Sequence, residues 1–142
     1  MSIKAIAHVC LRCADLNAAL RFYRDMLGIE PQFNFIRNGT LTGFYLKVAD
    51  GMYVEIFEAP DVSGVQHNQA APLSHFCLQT DDIKGLRQKL ADNGYEPTEI
   101  LMGADRSWQF WVRDPAGIRM EFHEYTPESS QITGQDVELA RR

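Results

Sequence analysis

The chain repeats itself, and the repeat restricts its possible folds more than any other feature. HVCLRCADLNAALRFYRDMLGIE, starting at His8, lies over HFCLQTDDIKGLRQKLADNGYE, starting at His75. His8/His75, Cys10/Cys77, Leu11/Leu78 and Asp15/Asp82 match at an offset of 67, and after a one-residue deletion Gly28/Gly94, Glu30/Glu96, Gly51/Gly117 and Glu55/Glu121 match at 66. Such a period implies two copies of one supersecondary unit. Each copy is too small to bury its own apolar face and must pack with a twin. One His and one Glu recur in each copy.

Each copy reads β-α-β-β-β, which makes the expected fold class α+β. In the first, Ala5–Leu11 alternates as a strand and Asp15 caps a helix. Leu16, Ala19, Leu20, Tyr23 and Leu27 form the apolar stripe of that helix, and Gly28 stops it. Strands are expected over Glu30–Ile36, Leu41–Val48 and Met52–Glu58, with Asn38-Gly39 and Asp50-Gly51 as hairpin turns. In the second copy the strand is Leu73–Gln79. A helix capped by Asp81 or Asp82 follows, with Ile83, Leu86 and Leu90 inward and Asn93-Gly94 at its end. Tyr95–Leu101, Trp108–Arg113 and Ile118–Glu124 complete it, with Asp114-Pro115-Ala116-Gly117 as a tight turn. The expected organisation is a domain over 1–126, made of modules 1–58 and 73–126 joined by a polar linker at 59–72, then a polar tail at 127–142. His67 falls in that linker and carries no assigned role.

Composition narrows the partners. A chain of 142 residues with 45% hydrophobic and 23% charged residues can build one ordinary globular core. A formal charge of −5 without a basic cluster argues against nucleic acid and anionic membranes, and no apolar run approaches a membrane span. The opening MSIKAIAHVC lacks the apolar core of a signal peptide, so a cytoplasmic location and a small-molecule partner are expected. Three cysteines make no disulfide framework, and Cys10-Leu-Arg-Cys13 is not read as a redox or zinc motif. On a strand, positions three apart point to opposite faces, so Cys10, Cys13 and Cys77 are read as small residues of half-buried strands.

Strand parity sorts the charged residues. His8, Cys10 and Arg12 share one face of the first strand, opposite Val9 and Leu11; His75, Cys77 and Gln79 do the same in the second copy. Tyr53, Glu55 and Phe57 share a face of one closing strand, and Arg119, Glu121 and His123 share a face of the other. Two neutral imidazoles and two carboxylates, His8, Glu55, His75 and Glu121, suit one divalent first-row metal such as Ni, Co, Zn, Mn or Fe. They leave two octahedral positions open. A substrate with oxygens on adjacent carbons could chelate there, the metal acting as a Lewis acid that stabilises an enediolate. Glu121, exchanging roles with Glu55, is the candidate base. His123, Arg12, Phe57 and Trp111 are candidate substrate contacts, and Trp108 and Phe110 further apolar walls. Arg119 is a candidate for a carboxylate or phosphate.

These residues resemble the vicinal oxygen chelate superfamily, which includes glyoxalase I, bleomycin and fosfomycin resistance proteins, methylmalonyl-CoA epimerase and extradiol dioxygenases. The carriers are His8 to Leu16, Phe22-Tyr23, Leu27-Gly28, Val54-Glu55, His75 to Leu78, Asp81-Asp82 and Asp114 to Glu121. The resemblance implies two βαβββ modules forming an eight-stranded cup, metal ligands at His8, Glu55, His75 and Glu121, and commonly a homodimer. Extradiol dioxygenases use a two-His, one-Glu triad, which the additional Glu55 argues against, and resistance-type binders lack a full metal set. The His/Glu/His/Glu pattern is most similar to glyoxalase I, in which the arginine matching Arg12 helps hold glutathione. Ile56-Phe-Glu-Ala-Pro60 and Leu101-Met-Gly-Ala-Asp-Arg-Ser-Trp108 depart from glyoxalase I. The expected activity is therefore proton transfer on an α-hydroxycarbonyl or hemithioacetal substrate by a lyase or isomerase. A resistance-type binder, an epimerase and a dioxygenase of the same superfamily are the alternatives.

Overall fold

A computed structural model of the chain describes residues 2–62 and 72–140. Most of the expected linker, residues 63–71 with His67, lies outside the described residues. The chain divides into two compact units: Met1–Gln66 with Asp114–Gly117, and His67–Arg113 with Ile118–Arg142.

In the first unit, β1 (His8–Cys13) leads into α1 (Leu16–Leu20), followed by β2 (Pro31–Arg37), β3 (Thr40–Ala49) and β4 (Met52–Glu58). Asp15 starts the helix by accepting from the amides of Asn17 and Ala18 at 2.9 and 3.2 Å, which satisfies donors that would otherwise be orphaned. Beyond Leu20 the helix widens into π turns over Arg21–Met26, and Gly28, at φ +72°, ends it in a conformation that a side chain disfavours. The sheet order is β1-β4-β3-β2, with β1 parallel to β4 and the other pairs antiparallel. Asn38 and Gly39, both at positive φ, make the tight hairpin between β2 and β3. Parity along β1 and β4 is as the alternation requires: Leu11, Cys13, Val54 and Ile56 are buried with Leu16, Ala19, Phe22 and Tyr23, whereas His8, Cys10 and Arg12 are exposed.

The second unit repeats the topology with β5 (Phe76–Gln79), α2 (Ile83–Asp92), β6 (Leu101–Met102), β7 (Trp108–Arg113) and β8 (Arg119–Glu124), ordered β5-β8-β7-β6. Asp82 caps α2 through the Gly85 amide at 2.9 Å, and Ile83 and Leu90 are buried with Phe110, Val112, Met120 and Phe122. The strand expected over Tyr95–Leu101 is reduced to the two residues of β6. Pro97 has no N–H to give a ladder there, and Thr98 ties the segment to β7, its amide donating to Trp111 O at 2.8 Å and its hydroxyl accepting from the Trp111 amide at 2.9 Å.

The polar tail folds back on its own unit. After α3 (Ser130–Thr133) is initiated at Ser129, Ser129 is fully buried and accepts from Ser107 Oγ at 3.0 Å, while the Ser130 amide donates to Asp105 O at 2.8 Å. The segment 103–107 is thereby held next to β8. Among the described residues no helix is long and apolar enough to cross a membrane.

Candidate metal centre

Each unit brings one histidine and one glutamate together. In the first, parallel pairing sets Cys10 opposite Glu55 and His8 opposite Tyr53, and His8 Nε2 comes 3.9 Å from Glu55 Oε2. In the second, His75 stands immediately before β5, Cys77 is paired with Glu121, and His75 Nε2 comes 3.1 Å from Glu121 Oε2.

The two histidines are presented in the same way. Tyr45 Oη lies 3.3 Å from His8 Nδ1, and Ser74 Oγ lies 2.7 Å from His75 Nδ1. Both leave Nε2 towards the carboxylate. A hydroxyl at Nδ1 fixes the ring's orientation, which is what a metal-ligating imidazole requires of its outer partner. Neither Tyr45 nor Ser74 was identified from the sequence. Tyr45 sits on β3 on the His8 face, a position that only the β3–β4 register reveals by pairing Tyr45 with Glu55. Ser74 precedes His75, where local sequence carries no orientation.

The remaining candidates separate by strand. In the first unit Arg12 lies opposite Phe57 on the exposed face. Phe57 packs at 4.5 Å on Phe35, and Phe33, Tyr45 and Tyr53 stack in a row at 4.5 and 4.7 Å. The face beside Glu55 is therefore an aromatic platform that sequence parity underestimated, because Phe33, Phe35 and Tyr45 come from strands whose register it did not fix. In the second unit Trp111 is opposite Glu121, meets the His75 ring edge-on at 4.6 Å and carries the Arg119 guanidinium at 4.6 Å over its ring. Trp111 and Arg119 also line a cleft of about 650 Å³ with Tyr95 and Thr98. Trp108 and Phe110 have the opposite parity on β7. Phe110 is fully buried and stacked on Phe122 at 5.0 Å, so these two do not wall the site.

His123 sits opposite Gln109, with Nε2 2.8 Å from Glu121 Oε1 and Nδ1 3.7 Å from Asp105 Oδ2. Asp105 was not singled out from the sequence. Burial works to raise its carboxyl, but hydrogen bonds from Gln131 and Ser107 and the nearby His123 outweigh it and hold the group below the ordinary carboxylate value. The cysteines also divide. Cys13 is buried, whereas Cys10 and Cys77 are on the exposed, histidine-bearing faces, as expected of small residues on half-buried strands. Desolvation first, then the Glu121 and Asp105 carboxylates, push the Cys77 thiol up to about 12 although the residue as a whole retains exposure. Cys10 is raised by desolvation and by its hydrogen bond to Glu55.

Two mixed four-stranded sheets, each with a parallel outer pair and an acidic residue on the closing strand, are the frame of one superfamily, and residues 5–122 match its profile, the Glyoxalase/Bleomycin resistance protein/Dioxygenase superfamily. The chain belongs to that superfamily. Within it the chain is 25% identical, over 82% of its length and 70% of the relative's, to a trivalent organoarsenical cleaving enzyme of Bacillus sp. strain MD1. Among solved structures it is similar in fold to a lactoylglutathione lyase from Agrobacterium tumefaciens, with a TM-score of 0.64 and 24% identity over 87% of this chain and 96% of that one. It is also similar in fold to TnmS3, an antibiotic binding protein from Streptomyces sp. CB03234, with a TM-score of 0.67 and 18% identity over 89% and 99%. Named enzymes and a named binder thus share this fold at similar distance from the chain, and the site residues must separate the two readings.

Proposed function

We propose that the chain is a metal-dependent lyase or isomerase of the glyoxalase type, acting on a small α-hydroxycarbonyl or hemithioacetal substrate. The observation that carries this reading is the repeated presentation of His8 and His75, each held at Nδ1 by a hydroxyl and turned by Nε2 to a glutamate. Simple binding of an organic molecule needs neither two acidic ligands nor two oriented imidazoles. The donor set fits a divalent ion, since neutral imidazoles and carboxylates balance its charge and match the preference of first-row metals. His8, Glu55, His75 and Glu121 would hold it, one His/Glu pair from each kind of unit. The ion would supply Lewis acidity to the substrate oxygens.

The protein's own groups supply the rest. Glu121 takes the proton from the carbon beside the carbonyl and returns it to the neighbouring carbon, with Glu55 able to exchange roles. His123 Nε2 lies 2.8 Å from the second oxygen of Glu121, next to the base. Phe57, with the row of Phe33, Tyr45 and Tyr53, offers an apolar surface to the substrate's organic part, and Trp111 does so beside His75. Arg12 is available for an anionic group on the substrate.

Elemental analysis after dialysis tests the ligand set: His75→Ala should lose the metal, and full occupancy in that variant overturns the assignment. General-base catalysis is worth about 10²–10⁴-fold, so Glu121→Gln should lose turnover on that scale, and near-native turnover removes Glu121 from the role. We also propose a homodimer. Co-refolded His8→Ala and His75→Ala chains should recover activity if the pairs of one site come from two chains, and recover none if they come from one.

A second reading is favoured by one feature. Cys10 and Cys77 stand beside Glu55 and Glu121 on the same faces, and trivalent arsenic is thiophilic. Cleavage of a trivalent organoarsenical, the activity named for the Bacillus relative, would then need these thiols. Arsenic release from such a substrate that survives Cys10→Ser and Cys77→Ser together would remove this reading.

A further inference from the structure

The repeat contains an asymmetry that the lyase reading does not use. Position 57 of the first unit corresponds to position 123 of the second, so Cys10, Glu55 and Phe57 are matched by Cys77, Glu121 and His123. Only the second unit has a third donor. The β5–β8 register places Cys77 opposite Glu121 and Gln79 opposite His123, so that all three donors project from one face. One ligand atom from each lies within 4.8 Å of the others, and among the described residues no other group of three or more His, Cys, Asp or Glu is so close.

We propose that the second unit holds a cation site of its own, formed by Cys77 Sγ, Glu121 Oε1 and His123 Nε2, which takes a borderline-soft divalent ion of the zinc type. The inference does not depend on the lyase reading. It concerns the oxygen of Glu121 that faces away from His75. His123 is 8% exposed, and its Nε2 is buried and lies 2.8 Å from Glu121 Oε1 without the alignment of a hydrogen bond. Two ligand-type atoms brought that close without a hydrogen bond between them can serve one common centre. On the far side of the ring Nδ1 lies 3.7 Å from Asp105 Oδ2, within reach of a charge interaction. Asp105 is itself fixed by Gln131 at 2.6 Å and by the Ser107 amide at 3.1 Å, so the tail that folds back on this unit ends up supporting the site.

Size and chemistry agree. Ligands about 2.0–2.3 Å from a tetrahedral ion are about 3.3–3.6 Å from one another. The observed spacings, from 2.8 Å to at most 4.8 Å, bracket that range. A thiol, a carboxylate and an imidazole form an N/O/S set that suits zinc or cobalt and disfavours magnesium or calcium. Binding exchanges the Cys77 S–H proton for the metal and releases it to water. Glu121 can then carry His75 with one oxygen and this site with the other.

The test uses the full chain, freed of metal by a chelator and titrated with cobalt(II). Wild type should develop a thiolate-to-cobalt charge-transfer absorption in the near ultraviolet that is lost in Cys77→Ser and kept in Cys10→Ser, His8→Ala and Glu55→Gln. His123→Gln should weaken zinc binding by at least the roughly ten- to hundredfold that loss of even an outer partner costs. On unmutated protein, zinc should slow alkylation of Cys77 but not of Cys10, read by mass spectrometry. Cobalt bound without charge transfer, an absorption that survives Cys77→Ser, or Cys77 alkylated equally fast with and without zinc would each overturn the proposal. If cobalt binds without charge transfer and His75→Ala abolishes binding, the lyase reading survives and this one fails. If the absorption is present in His8→Ala but the wild type has no turnover, the reverse holds.

Discussion

Replacing Tyr23 by Phe isolates one buried polar contact. Tyr23 is fully buried, packs edge-on against Phe22 at 5.0 Å, and donates its hydroxyl to Asp114 Oδ2 at 2.8 Å. Asp114 is itself only 7% exposed and opens the tight turn at 114–117 by accepting from the Ala116 amide at 2.9 Å. Phe fills nearly the same volume, so no large cavity is created and the loss is that of the hydroxyl's bond together with the buried Asp114 oxygen it leaves. A bond to a charged acceptor contributes about 1.5–3 kcal/mol, against about 1 kcal/mol for a neutral pair. With a urea m-value of about 2 kcal/mol per molar, the midpoint of unfolding should fall by about 0.8–1.5 M. A double-mutant cycle with Asp114→Ala separates this contact from general loosening. Coupling below about 0.5 kcal/mol, within the additivity of independent sites, or a Tyr23→Phe midpoint equal to wild type, would refute the assignment of this energy to the Tyr23–Asp114 pair.

Other expectations can be checked as directly. Desolvation lifts the buried Cys13 thiol from 9.0 to about 11, so the folded state keeps the proton longer than the unfolded chain. The resulting stability is complete below about pH 9 and is lost as pH rises to 11. At 1.36 kcal/mol per pH unit it amounts to at most about 2.7 kcal/mol, and Cys13→Ala should flatten that part of the pH–stability curve measured by urea titration. At Gly43 an added Cβ would run into the Ile56 carbonyl and lie 2.9 Å from the Phe57 ring. Gly43→Ala should therefore lower the thermal midpoint through about 1–3 kcal/mol of overpacking, and a neutral result would show that β3 shifts freely. Tyr45→Phe should weaken metal binding about ten- to hundredfold by freeing His8 Nδ1, measured by competition with a chromogenic chelator; unchanged affinity would mean that the Tyr45 hydroxyl does not orient this ligand.

The repeat, the βαβββ order within each copy, the helix cap at Asp15, a second cap at Asp81 or Asp82 and the face on which each His and Glu lies were all legible in the sequence. They depend on short-range periodicity: a strand alternates every two residues, and a capping aspartate acts within three residues of itself. Strand extent was less legible. Pro97 removed most of one expected strand, and the first strands of both copies begin later than alternation alone suggested, at His8 and Phe76. Trp108 and Phe110 were grouped with Trp111 because they are aromatic, although β7 parity divides them.

Register between strands and the return of the tail were decided only in three dimensions. Tyr45 reaches His8 because β3 pairs with β4 in one register, and a slip of one residue would turn it to the opposite face. Asp105 lies behind His123 because Ser129, Ser130 and Gln131, more than twenty residues later, bind the loop that carries it. Local sequence encodes which residues alternate and where helices start. Which side chains meet across strands depends on hydrogen-bond ladders and packing between segments distant in the chain, and that pairing turns four repeated residues into two His/Glu pairs and sets a thiol and a third imidazole beside one of them.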